Sequence, residues 1–196
     1  MNDLARWLRE SARLKIEVAD TQSEVMAEAA ARIAQALKEG NRVYLMGNGG
    51  SAADAQHLAG ELINRFQLDR GPLPAIALTT DTSVITSVAN DYGFGEVFAK
   101  QVAALVKEGD IVWGLSTSGR SPNVVTAMRL AREMGAVTVG LTGKNGGDMV
   151  NYCDYCIFVP STQTPLIQET HIAVGHAICD VIERTIFEGS HTIGGS

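Results

Sequence analysis

The chain has 196 residues, 45% hydrophobic and 19% charged, with a formal net charge of −6 and a pI near 5.2. That length suits one domain burying roughly 70% of the surface its unfolded chain exposes, and the composition carries no mark of disorder. The acidic balance argues against a nucleic-acid partner, which demands a basic footprint. The sequence offers no signal peptide and no run of about 18 apolar residues to cross a membrane, so a cytoplasmic protein is expected.

Two helices are predicted first. Asp3 to about Val18 carries Leu4, Trp7, Leu8, Leu14 and Ile16 in an imperfect helical stripe. Thr21 to Lys38 carries Val25, Met26, Ala29, Ile33, Ala34 and Leu37 and stops at Gly40, a residue suited to a helix C-cap. A helical pair ahead of the first strand is not needed to cover a sheet edge. Residues 1–40 are therefore expected to pack against another subunit.

Val43 to Met46 reads as a buried strand that breaks into Gly47-Asn48-Gly49-Gly50, where glycines permit positive φ and close approach of a ligand. Ser51 with Asp54 three residues on predicts a capping box opening a helix to about Phe66. A strand, a glycine turn and a fresh helix N-terminus together form an anion site. His57 and Glu61, spaced i,i+4, share one helical face, either as a surface pair or as half of a reactive site. Gly47-x-Gly49-x-x-Ala52 also fits the dinucleotide fingerprint. Against that reading, the acidic end expected of the second strand is replaced by Thr79-Thr80-Asp81-Thr82. No P-loop pattern occurs.

Gln67 to Pro72 is a surface loop, Leu73 to Leu78 a second strand, and Val84, Ile85 and Val88 resume helical spacing up to the turn Asn90-Asp91-Tyr92-Gly93. A helix from Gly95 to Val106 leads to a third strand, Ile111 to Leu115. The run Ser116-Thr117-Ser118-Gly119-Arg120-Ser121-Pro122 follows, either an ordinary capped turn or a second cluster of phosphate-binding hydroxyls. A helix from Asn123 to Met134, a strand from Val137 to Leu141 and a strand from Tyr155 to Val159 complete the alternation. Strands alternating with helices at this spacing predict an α/β fold, a parallel sheet with helices on both faces. Ligands bind outside the carboxyl ends of such strands, so the turns after strands one and three can meet in one pocket.

Cys153, Cys156 and Cys179 are an odd number and form no disulfide framework. Cys153-Asp154-Tyr155-Cys156 lacks a second pair for zinc and sits at a strand entry, not a helix head, so it is read as structural. On the last helix, Gln163 to Phe187, Ile167, His171, Val174, Ile178 and Ile182 form the core stripe. Gln168, Ile172, Gly175, His176 and Cys179 form a neighbouring face. His171 is thus a core histidine, and the Gln168–His176 face, opened by Gly175, is the better site candidate. Gly189 to Ser196, with His191, is read as a loose tail.

Taken together, Gly47-Asn48-Gly49-Gly50-Ser51-Ala52-Ala53-Asp54-Ala55-Gln56-His57, Ala75 to Ser83, Asn90-Asp91-Tyr92-Gly93, Ser116-Thr117-Ser118-Gly119, Leu141-Thr142-Gly143 and Ile167-Gln168-Glu169 resemble the phosphoheptose isomerases. These are sugar-isomerase (SIS) domain proteins, and the resemblance spans nearly the whole chain. It implies a single SIS domain over 1–196, with N-terminal helices 1–40, an α/β core 41–188 and a tail 189–196. It also implies a five-stranded flavodoxin-like sheet, a homotetramer with sites at subunit interfaces, and sedoheptulose 7-phosphate as substrate, isomerised to glycero-manno-heptose 7-phosphate.

Carried over, zinc ligands fall on His57, Glu61, Gln168 and His176, and the acid–base pair on Glu61 and His176. Phosphate contacts fall on Ser116, Thr117, Ser118 and Ser121. Sugar contacts fall on Asn48, Gly49, Gly50, Ser51, Asn90 and Asp91, with Arg65, Glu61 and Gln168 beside them. Leu166 departs from the Arg or Lys that relatives carry there. Two other readings stay within the family: a non-enzymatic SIS tetramer that binds a replication initiator, and a sugar-phosphate-sensing SIS module. The first lacks the final histidine, which is present here as His176.

Overall fold

The computed structural model describes residues 3–188, so the tail with His191 lies outside the described residues. Six helices are α1 (Asp3–Lys38), α2 (Gly50–Ile63), α3 (Thr82–Tyr92), α4 (Ala99–Leu105), α5 (Pro122–Glu133) and α6 (Thr164–Phe187). Five strands are β1 (Val43–Gly47), β2 (Ala75–Ala77), β3 (Ile111–Ser116), β4 (Val137–Thr142) and β5 (Tyr155–Phe158). They form one all-parallel sheet in the order β2-β1-β3-β4-β5. The central strands β1 and β3 are buried along their whole length, as parallel strands covered on both faces must be.

Successive side chains of a strand point to opposite faces, and β1 shows the result. Val43 and Leu45 enter an apolar cluster with Ile33 of α1, Leu58 of α2 and Ile178 of α6. Tyr44 and Met46 enter a second cluster with Val102 of α4 and Val124 and Met128 of α5, against which Ile85 and Val88 of α3 also pack. The predicted doubly wound α/β sheet is therefore present. α2 and α6 lie on the same side of it and in contact with each other.

The predicted N-terminal pair is instead one helix. α1 runs 36 residues without a break, because Val18-Ala19-Asp20-Thr21 holds neither glycine nor proline to interrupt it. Thr21 satisfies its hydroxyl locally, donating to the Glu17 carbonyl at 2.6 Å. The second half of α1 buries Ala29, Ile33 and Ala34 against the sheet side, whereas Trp7, Leu8 and Ile16 of the first half are exposed.

Other boundaries shift for local reasons. The segment predicted as one helix from Gly95 to Val106 splits into a 3₁₀ turn, Phe94–Glu96, and α4. β2 is three residues long, shorter than the apolar run 73–78. A 3₁₀ turn at Met149–Tyr152 precedes β5. The cysteines are free thiols. Cys153 bonds to the Met149 carbonyl at 3.3 Å and stands against Gly140 of β4.

Candidate active site

The glycine turn after β1 behaves as its composition demands. Gly49 takes φ +54°, a value that side chains resist, and caps α2 with no side-chain bond. The predicted Ser51–Asp54 capping box does not form, because Asp54 is engaged elsewhere. Its carboxylate accepts from the Gln168 Nε2 of α6 at 2.8 and 2.9 Å, in a buried setting. Burial pushes the Asp54 carboxyl up, and the Gln168 amide opposes that.

Gly175 lets α2 and α6 meet closely. A Cβ there would stand 2.7 Å from both Leu58 methyls, so the space foreseen beside Gly175 is taken by Leu58. The approach brings His176 to His57, with Nε2 atoms 2.8 Å apart and rings set edge to face. His57 Nε2 also lies 3.1 Å from Glu61 Oε1. One ligand atom from each of His57, Glu61 and His176 falls within 4.8 Å of the others. Two imidazole nitrogens and a carboxylate oxygen converging this way fit a divalent cation such as zinc. The His57 side chain is 49% exposed, so the group opens to solvent and leaves room for a substrate. Phe66 covers the His176 ring, its centroid 5.6 Å away at 28°.

That covering residue is held by a device the periodicity did not reveal. α2 ends at Ile63, not Phe66, because the N–H groups of Phe66, Gln67 and Leu68 donate to Glu183 of α6. Arg70 bonds the same carboxylate at 2.8 Å through Nε and reaches the Glu61 and Leu62 carbonyls through its other nitrogens. Both side chains are almost wholly buried. Burial alone would raise the Glu183 carboxyl, but the donations from Leu68, Phe66, Gln67 and Arg70 outweigh it and hold it down to about 2.

The core reading of His171 matches the geometry. It is fully buried, and its Nε2 donates to the Thr142 carbonyl at 3.1 Å while Nδ1 has no partner. Burial lowers its pKa to about 4, against the smaller opposing effect of the Thr142 bond. His171 is thus a neutral structural group, apart from the His57–His176 pair.

The hydroxyl loop after β3 is tight. Ser116 and Ser121 hydroxyls are 3.0 Å apart, and Ser118 Oγ accepts the Arg120 N–H. Gly119 has φ +63°, and any Cβ there would lie 2.0 Å from the Gly146 carbonyl oxygen, so the two loops touch through bare backbone. Thr117, Ser118, Arg120, Lys144, Asn145 and Thr162 help line a hollow of about 160 Å³. Asn48 and Asn123 exchange reciprocal amide bonds at 2.9 Å, tying the β1 turn to the first turn of α5 at the switch point of the sheet.

Not every candidate joins this group. Asn90 and Asp91 stand exposed at the end of α3, bonded to each other. Arg65 is exposed and lies beyond the end of α2, not on it. Gln168 lies across Gly50, its amide committed to Asp54. A hollow of about 660 Å³ between the start of α1 and the start of α6 contains none of the candidate site residues and is bordered by Leu166. Three features that shape the site, Asp54, Asn123 and the Arg70–Glu183 pair, act through partners more than 70 positions away.

A parallel SIS-type sheet carrying a His–Glu–His group across two helices defines a class, and sequence comparison agrees. The SIS domain family profile matches residues 6–143, and the chain belongs to that family. Within it, the chain is 50% identical over 191 residues to the phosphoheptose isomerase of Solidesulfovibrio magneticus, covering 97% of this chain and 93% of that one. Its identity to the phosphoheptose isomerase of Aquifex aeolicus is 49%, covering 97% and 100%. The solved phosphoheptose isomerase of Francisella tularensis superposes with a TM-score of 0.89 at 40% identity, covering 94% of this chain and 100% of that one. That of Neisseria gonorrhoeae gives 0.87 at 43%, covering 92% and 96%. The chain is a sugar-phosphate isomerase. Among the described residues, no helix is long and apolar enough to cross a membrane.

Proposed function

We propose that this enzyme interconverts sedoheptulose 7-phosphate and D-glycero-D-manno-heptose 7-phosphate, the opening step towards ADP- or GDP-heptose precursors. The observation that carries the proposal is the convergence of His57, Glu61 and His176 from two helices, the histidines 119 residues apart. The relatives compared above, all phosphoheptose isomerases, supply the substrate class.

Moving a carbonyl between C1 and C2 requires one group to carry a proton between carbons and another to carry one between oxygens. Glu61 takes the proton from C1 of the ketose and returns it to C2. His176 shifts the proton from O1 to O2 through the cis-enediol. His57, Glu61, His176 and Gln168 would hold a zinc ion, which when bound would supply Lewis-acid polarisation of the carbonyl. Ser116, Thr117, Ser118 and Ser121 hold the phosphate, which fixes the far end of the sugar and so orients the near end. Asn48, Gly49, Gly50, Ser51 and Arg65 line the chain of hydroxyls. Asn90 and Asp91, exposed on α3, complete the sugar contacts within a homotetramer in the cytoplasm.

The test is direct. Purified, zinc-loaded protein is mixed with sedoheptulose 7-phosphate and the anomeric proton of the aldose followed by NMR. Aldose signals at enzyme-dependent rates support the reading. Their absence, with the zinc content verified, overturns it.

A further inference from the structure

Asp54 is a buried carboxylate, 6% exposed, and no cationic side chain forms a salt bridge with it among the described residues. Both oxygens accept from one uncharged group, the Gln168 Nε2. For stability alone this is a poor use of a buried charge, since an apolar pair of similar size serves packing as well or better. The geometry has a different consequence. An ionised carboxylate can only accept, so Gln168 must turn its NH₂ towards Asp54 and its oxygen away. The first turn of α2 narrows the choice further. A Cβ on Gly50 would already lie 3.2 Å from Gln168 Cδ and 3.4 Å from each amide terminal atom, so the side chain rests against that turn.

Asp54 shares α2 with His57, three residues on, and Gln168 shares α6 with His176, two turns on. The amide pair therefore spans the same helix seam as the histidine pair. We propose that Asp54 is a positioning residue that fixes the Gln168 amide so that its oxygen, not its NH₂, is offered to a cation held by His57, Glu61 and His176. The inference rests on the reading of Gln168 as the fourth ligand. An amide nitrogen has no lone pair to give and its hydrogens repel a cation, so a flipped Gln168 would turn from ligand to obstacle. Partners that orient a ligand from behind typically change metal affinity by about 10- to 100-fold when lost.

An exchange of the two side chains tests this. Asp54→Leu, of similar size, removes both acceptors, so the Gln168 NH₂ loses the partner that holds the amide one way round. The double variant Asp54→Asn with Gln168→Glu has the same total charge as the wild type. The amide introduced on α2 then donates to one oxygen of the carboxylate introduced on α6, whose other oxygen faces outward again. Zinc affinity is read by competition with a chromophoric chelator, with thermal melting to verify folding and Gln168→Ala as reference. A drop of about 10-fold or more in Asp54→Leu, with recovery to within a few-fold in the exchanged pair, is the result expected. Two outcomes overturn the positioning role alone: Asp54→Leu binding zinc like the wild type while Gln168→Ala does not, or a folded exchanged pair as weak as Gln168→Ala. Unchanged zinc affinity in Gln168→Ala removes the fourth-ligand reading instead, and the inference with it. Should Asp54→Leu fail to fold, the exchanged pair against Gln168→Ala still decides.

Discussion

Replacing Gly175 by alanine asks whether the bare backbone of α6 sets the spacing of the histidine pair. A Cβ there would sit 2.7 Å from both Leu58 Cδ atoms and 3.2 Å from its Cγ. The nearer contacts are about 0.8 Å inside the ~3.5 Å at which carbon atoms touch. Leu58 is fully buried in the core cluster, so its side chain has little free space to move into. Two effects oppose each other in stability: alanine gains about 1 kcal/mol over glycine inside a helix, and overpacking costs about 1–3 kcal/mol. The net loss is then between zero and about 2 kcal/mol, a fall in Tm of up to about 8 °C for a chain of this size.

The site suffers more than the fold. His176 follows Gly175 directly, and its Nε2 lies 2.8 Å from that of His57. A displacement approaching 1 Å at a reacting group costs about 100-fold in rate, and the zinc affinity is expected to fall with it. Adding Leu58→Ala, which alone costs about 2–5 kcal/mol, removes the clash. The double variant should therefore be more stable than the sum of the singles and recover zinc affinity. Chelator competition, turnover and melting on the four proteins make the measurement. A Gly175→Ala protein that melts at or above the wild type and keeps its zinc affinity and turnover refutes the packing argument.

Ser118→Ala should raise KM about 10- to 100-fold, the scale of one hydrogen bond to a charged group, and unphosphorylated sedoheptulose should bind poorly to the wild type. Equal binding of the two sugars, by inhibition kinetics, sinks the phosphate assignment. His176→Asn should lower kcat about 100-fold or more and weaken zinc retention, whereas His171→Asn should mainly lower Tm. Because folding lowers the His171 pKa from 6.5 to about 4, the unfolded chain binds the extra proton and stability falls as pH drops from 6.5 towards 4. His171→Asn should flatten that part of a Tm–pH profile; an unchanged slope excludes His171 as its source. Glu183→Gln leaves buried Arg70 without its counter-charge, a loss of about 3–5 kcal/mol visible as a Tm drop of about 10 °C. The folded Glu183 carboxyl is held down to about 2 from an ordinary 4.5. Its contribution is therefore present above pH 4.5 and lost as pH falls towards 2, and a wild-type-like acid melting curve for Glu183→Gln counts against the clamp.

What the sequence made legible was local and periodic. The apolar runs of β1, β3, β4 and β5 announce the strands of a parallel sheet. The helical wheel of α6 separates His171 from His176, and the fully buried His171 and partly open His176 match the split. The misreadings have local causes too. Thr21 looked like a helix start because Thr favours N-caps, but the same hydroxyl can bond the preceding turn and let the helix pass through. Asp54, spaced from Ser51 like a capping box, serves a partner 114 residues away. No window of about ten or fifteen residues contains that information. The Asn48–Asn123 exchange and the Glu183 cradle lie equally beyond periodicity, as does the spacing of α2 and α6 that Gly175 permits.

The Glu183 cradle has a consequence for how the molecule is made. Arg70 and Glu183 are 113 residues apart, and chains leave the ribosome at about 5–20 residues per second. For roughly 6–23 seconds, then, the end of α2 exists with Arg70 and the Phe66, Gln67 and Leu68 amides awaiting a carboxylate not yet synthesised. His57 and Glu61 are in place early, but His176 arrives with the same late helix that supplies Glu183. The His57–Glu61–His176 group and a closed α2 terminus are thus completed in one late docking event. Nascent chains stalled before α6 should be cut by proteases between residues 63 and 72, where the completed chain resists, and equal resistance in both would show that the α2 end closes without α6.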